Sequence, residues 1–286
     1  MLSRFAFGCL LVLIGLPPRP AAAACPAGFL EHWDEVACCG LPDADFITVQ
    51  LPLPVGPGTF DRVLLADFDP ELLLPVSNGG DRELLWTNGF ADAGDLALTP
   101  ADEAGNYNSC RVRMETAFAA NGDLVAAAPR AGVVVRHEGI GQGFYSAYAY
   151  VREEGRILKV RLYLEKYVGG AFAPLDLGPP PSAPFGFAAN QNFRVGIEVS
   201  EPDVDGNSTL TGYLERLSVV GGVLQSEPLV VMTGIDDDFH LGQIGLYVEA
   251  GSIRTQVAFD ECIAVAPAPP TPARGSSWGA LKTIYR

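Results

Sequence analysis

Oxygen-bearing side chains at alternate positions are the first chemistry the sequence offers. Asp203, Asp205 and Asn207 surround Gly206 in the stretch EPDVDGNS. Hard oxygen donors so spaced, with a glycine to turn the chain, form part of a calcium loop, although the closing bidentate Glu is missing. A solvated hairpin tip is the other reading of the same residues. The run Asp236-Asp237-Asp238 reads as a solvated acidic stretch. A second group is aromatic. Trp86, Tyr145, Tyr148 and Tyr150, with Arg136 and His137 nearby, offer rings to stack on sugar faces and polar groups to meet sugar hydroxyls. The same rings also suit core and cross-strand packing. His32, His137 and His240 are scattered and form no catalytic or metal set.

The third reactive group is sulfur. Six cysteines occur, and Cys9 lies in an apolar leader. Of the other five, Cys38, Cys39, Cys110 and Cys262 are the disulfide candidates, with Cys38 or Cys39 expected to reach Cys110 or Cys262 rather than each other. Zinc is the rival reading, but neither a C-x-x-C pair nor matching histidine spacing is present. Cys25 is the odd one. The leader MLSRFAFGCLLVLIGLPPRPAAAAC has one basic residue, an apolar run and a small-residue segment, so residues 1–24 read as a secretory signal peptide. The alternative is a lipoprotein signal with Cys25 as the lipidated residue and a lipid anchor in consequence. No later stretch is long and apolar enough for a transmembrane helix. The expected location is secreted, periplasmic or cell-surface.

The elements that must hold these groups are strands. Residues 131–167 form the organising stretch. Gly132–His137, Phe144–Val151 and Arg156–Tyr167 read as three consecutive antiparallel strands. In the third, Leu158, Val160, Leu162 and Leu164 alternate with Lys159, Arg161, Tyr163 and Glu165, the period of two that gives a buried and a wet face. In the second, Phe144, Ser146, Tyr148 and Tyr150 share one face and Tyr145, Ala147 and Ala149 the other. Further strands are expected within 46–55 (an edge, because of Pro52 and Pro54), 62–68, 83–87, 95–99, 110–118, 193–199, 210–219, 229–233, 242–250 and 256–266. No convincing amphipathic helix falls between residues 43 and 266. Roughly a dozen short strands predict an all-β, antiparallel β-sandwich or jelly roll. The expected organisation is a Cys-containing lead-in at 25–42, the sandwich at 43–266, a Pro/Ala linker at 267–275 and a short sorting or docking tail at 276–286.

The formal charge of −15 excludes a nucleic-acid partner, which needs a basic surface. Two motif matches fail on context. Gly275-Ser276-Ser277-Trp278-Gly279 spells a nucleophile elbow but lacks the strand before it and the acid and histidine after it. Gly139, Gly141 and Gly143 are misspaced for a phosphate loop and precede a strand, so they read as a hairpin loop.

The order Val-Val-Arg, FYSAYAYV, FRVGIEV, GQIGLYV and VAFDECIAV resembles the concanavalin A-like lectin/glucanase superfamily, closest to laminin-G-like jelly-roll domains of bacterial exported proteins. The resemblance covers about residues 60–266. It implies two curved antiparallel sheets and a carbohydrate-binding or surface-adhesion role of lectin type. It also implies a structural Ca²⁺ held by a last-strand Asp, which Asp260 matches. The Glu-x-Asp-x-x-Glu strand motif of the glucanases is absent; its nearest counterpart, residues 198–205, lies in a Pro-containing segment. Arg82-Glu83-Leu84 lacks the spacer of the lyase motif, and Gln-Ile-His does not occur. The expectation is therefore a non-catalytic module with a glycan or cell-surface partner. A divergent glycoside hydrolase or polysaccharide lyase, and a structural cell-surface module, are the alternatives.

Overall fold

The computed structural model describes residues 29–31, 47–50, 58–64, 82–88, 93–98, 106–107, 109–118, 124–139, 143–187, 191–220, 223–251, 253 and 255–265. The leader, most of the lead-in with Cys25, Cys38 and Cys39, the linker and the tail lie outside these residues.

In chain order the elements are β1 (Phe29–Glu31), β2 (Ile47–Gln50), β3 (Thr59–Leu64), β4 (Arg82–Thr87), β5 (Ala93–Leu98), β6 (Asn106–Tyr107) and β7 (Cys110–Phe118). The helical turn α1 (Leu124–Ala127) comes next, then β8 (Arg130–His137), β9 (Phe144–Glu154), β10 (Ile157–Val168), β11 (Ala171–Pro174) and β12 (Phe185–Gly186). Last are β13 (Asn192–Val199), β14 (Ser208–Val220), β15 (Val223–Asp236), β16 (Gly242–Ala250) and β17 (Gln256–Val265). One sheet runs β15-β14-β13-β7-β17-β4-β3, with β1 also on β17. The other runs β11-β10-β9-β8-β16-β5-β2, with β12 on β10 and β6 on β16. The paired strands are antiparallel, and the two sheets form a jelly-roll sandwich.

Alternation dictates the core. Tyr145, Ala147, Ala149 and Val151 of β9, with Val160, Leu162 and Leu164 of β10, meet Phe193, Val195 and Ile197 of β13 between the sheets. Phe259 of β17 is fully buried there, and β17 lies between β7 and β4, so the last strand seals the middle of its sheet. Across this core the Trp86 indole N–H donates to Asp95 at 2.7 Å and joins β4 of one sheet to β5 of the other.

Strand extents differ most from expectation at β15. Residues 229–233 belong to the 14-residue β15. Pro228 sits within it because β15 is an edge strand and its register slips at Leu214/Glu215, so no ladder donor is missed. The Pro-containing 46–55 segment supplies β2, at the edge of its sheet as expected.

The nine-stranded sheet is strongly curved. Phe172 on β11 and Tyr247 on β16 are separated by β10, β9 and β8, yet their ring centroids are 5.2 Å apart. A flat sheet would hold those backbones about 19 Å apart. The rings meet because the sheet bends toward its outer face, which is therefore the concave face of the sandwich.

Candidate functional site

The concave face is built in rows. Strand register sets Glu249, Arg130, Tyr150 and Arg161 side by side. The next row is Tyr247, Gly132, Tyr148 and Tyr163, and the one beyond it Gly245, Val134, Ser146 and Glu165. Gly132 is needed where it stands: a Cβ there would lie 2.2 Å from the Ala147 carbonyl oxygen and 2.4 Å from the Tyr148 Cβ. Without that Cβ, Tyr148 and Tyr247 meet edge to face at 5.4 Å.

The inner part of this face is closed on itself. Tyr148 donates to Glu165 at 2.6 Å and Tyr247 to Glu249 at 2.8 Å. Burial, with the adjoining carboxylates, pushes both phenols well above their ordinary value. The outer part is open. Tyr150 and Tyr163 are half-buried, 5.7 Å apart and edge to face, and Tyr163 stacks on Tyr148 at 5.1 Å. Neither the Tyr150 nor the Tyr163 hydroxyl has a hydrogen-bond partner among the described residues. Arg130 lies 4.7 Å and Arg152 5.5 Å from the Tyr150 ring centroid. Arg161 holds Glu154 through two bonds of 2.6 and 2.7 Å, and Arg152 reaches the same carboxylate at 2.8 Å. These guanidinium contacts hold Glu154 far down, to about 2.

Several residues expected at a sugar site are structural instead. Trp86 and Tyr145 are fully buried between the sheets, so neither presents a ring face. Arg136 has φ 55°, which breaks the alternation of β8 and turns its side chain inward. There it donates to Ser208 Oγ at 2.7 Å and to the Phe239 and Ser200 carbonyls at 2.6 Å, tying together three segments. Burial lowers its pKa to about 10. His137 is 4% exposed and packs beside Gln243 and Phe144, and burial lowers its pKa. Tyr148 is 2% exposed and supports Tyr163 from behind. Of the six, Tyr150 alone stands at the open rim. The sequence reading did not single out Tyr163, although the alternation of β10 already put it on one face with Arg161 and Glu165.

The Asp203 carboxylate accepts the Asp205 and Asn207 amides at 2.9 Å each, closing the hairpin loop on itself. Asp260 lies on β17 opposite Glu115, and nothing is described of its side chain. The Asp236–Asp238 run is not simply solvated. Asp236 is 1% exposed and, with Asp176 and Asp237, forms an acidic cluster. The Lys166 ammonium enters that neighbourhood, 2.7 Å from Asp176, 2.8 Å from Asp236 and 2.6 Å from Asp238. Cys110 is disulfide-bonded.

A second depression lies on the outer face of the other sheet. It measures about 600 Å³ and is lined by Arg111, Arg113, Arg194, Glu198, Tyr213 and Glu215, among others. The Tyr213 ring lies over Gly196, where a Cβ would come within 2.1 Å of it.

No protein-family model matches the chain, and no curated protein sequence matches it. Among solved structures it is similar to the carbohydrate-binding module CBM66 from Bacillus subtilis, at 10% identity over 78% of this chain and 98% of that one, with a TM-score of 0.39. It is also similar to a Lotus tetragonolobus seed lectin, at 9% identity over 85% of this chain and 100% of that one, with a TM-score of 0.42. The protein is an antiparallel jelly-roll sandwich with an aromatic concave face.

Proposed function

We propose that this chain is an exported carbohydrate-binding module whose ligand lies on the concave face. One observation carries the reading: the half-buried Tyr150–Tyr163 pair with unengaged hydroxyls, braced from behind by Tyr148 and bordered by charged side chains. Such a surface offers apolar ring area to sugar C–H faces and polar atoms to hydroxyls, the two things a glycan needs from a protein.

The test is binding of the secreted chain to a glycan panel, with Tyr163→Ala and Tyr150→Ala beside wild type. Loss of about tenfold or more in affinity for either variant is expected, in line with aromatic anchors elsewhere. Tyr213→Ala, on the opposite sheet, leaves binding intact. Loss on Tyr213→Ala alone moves the site to the second depression, and no binding to any glycan ends the proposal.

A further inference from the structure

The open rim of the concave face is basic in a chain that is strongly acidic. Arg130, Arg152, Lys159 and Arg161 come from three adjacent strands, β8, β9 and β10. Two carboxylates, Glu154 and Glu249, answer these four cations. The register places Arg152 directly opposite Lys159. Like charges facing each other across a ladder destabilise it. Glu154 is already shared between Arg152 and Arg161, and Lys159 has no ion-pair or hydrogen-bond partner among the described residues. The whole chain carries −15, so this concentration of uncompensated positive charge runs against its composition. It also lies beside Tyr150 and Tyr163, the two half-buried rings.

We infer that the glycan bound here is anionic, its sugar ring lying against Tyr150 and Tyr163 and its oxyanion between Arg152 and Lys159. This rests on the concave-face reading above. The group recognised is a sugar-borne oxyanion, whether the carboxylate of a uronic acid or a sulfate ester. An anion in that position relieves the facing cations. Guanidinium is suited to pair with planar oxyanions through two donors. The acidic remainder of the molecule repels the same polymer elsewhere and so confines it to this rim.

The experiment measures affinity of the full secreted chain for polygalacturonate, dextran sulfate and uncharged dextran, together with a panel of neutral glucans, mannans and galactans. Polygalacturonate or dextran sulfate is expected to bind at least about tenfold more tightly than any neutral chain, and whichever binds identifies carboxylate or sulfate. Raising salt from about 50 to about 500 mM weakens that binding steeply, because the rim is solvent-exposed. The double variant Arg152→Gln/Lys159→Gln loses about tenfold or more. Arg216→Gln, which removes one positive charge from the other sheet, does not. Neutral glycans bound as tightly as charged ones overturn the anion inference and leave the carbohydrate reading standing. Equal loss in Arg216→Gln overturns the assignment to this rim. Absence of binding to every chain, charged and neutral, removes the carbohydrate reading itself.

Discussion

The Lys166 ammonium lies 2.8 Å from the wholly buried carboxylate of Asp236, across 70 residues of sequence. Asp236 also accepts the Tyr145 hydroxyl at 2.8 Å and the Asp176 amide at 2.9 Å, while Tyr145 accepts the Phe239 amide. One carboxylate thus pins the 236–239 turn to β9, to β10 and to the segment after β11. Removing the cation leaves buried negative charge without its partner. Lys166→Met is expected to cost about 3 kcal/mol or more, read by chemical denaturation at neutral pH.

The same carboxylate sets an acid limit. Burial alone would raise the Asp236 pKa, but the Lys166 ammonium, the Asp176 and Asp238 amides and the Tyr145 hydroxyl together draw it below the ordinary 3.8. A depressed carboxylate contributes stability that is fully present above its unfolded value and is lost as pH falls through its folded value. Wild type should therefore lose Tm between about pH 4 and pH 2, on the ordinary aspartate scale. Asp236→Asn should start lower and fall less over that range. Parallel curves for the two proteins would remove Asp236 from the account.

Trp86 yields a prediction about folding rather than ligand. Its indole N–H and the Gly58 amide are the donors to Asp95, both at 2.7 Å, and burial still raises that carboxyl. Trp86→Phe removes one donor from a buried acceptor and should cost about 1–3 kcal/mol, while glycan binding by the folded fraction is unchanged. Loss of binding with unchanged stability would return Trp86 to the site.

Gly132 tests the rows of the concave face. With Ala147 O and Tyr148 Cβ so close to the position of a new Cβ, Gly132→Ala forces β8 and β9 apart. Overpacking of this kind costs about 1–3 kcal/mol. Because Tyr148 supports Tyr163, glycan affinity should fall together with Tm. Full affinity in a destabilised variant would separate the binding surface from this row.

Alternation in β9 and β10 made the sandwich and its two faces legible before any coordinates. The direction of curvature was not legible, because bend accumulates over several strands and is written in no single one. That is why the aromatic residues read as one group, when Tyr145 belongs to the core and Tyr150 to the rim. Arg136 escaped because one positive φ reverses the side-chain direction that a period of two assigns. The acidic run at 236–238 read as solvated because its cation comes from β10, far away in sequence. β15 reads short because proline ends most strands, and here the edge position and the slipped register accommodate Pro228.

Tyr163 is held against Tyr148 on one side and by the edge of Tyr150 on another, before any sugar arrives. A ring so fixed has little rotational freedom left to surrender, so association draws little on side-chain entropy. The free and occupied forms of the protein should superimpose at these tyrosines, and selectivity should follow from how well a rigid surface matches the sugar rather than from its adjustment.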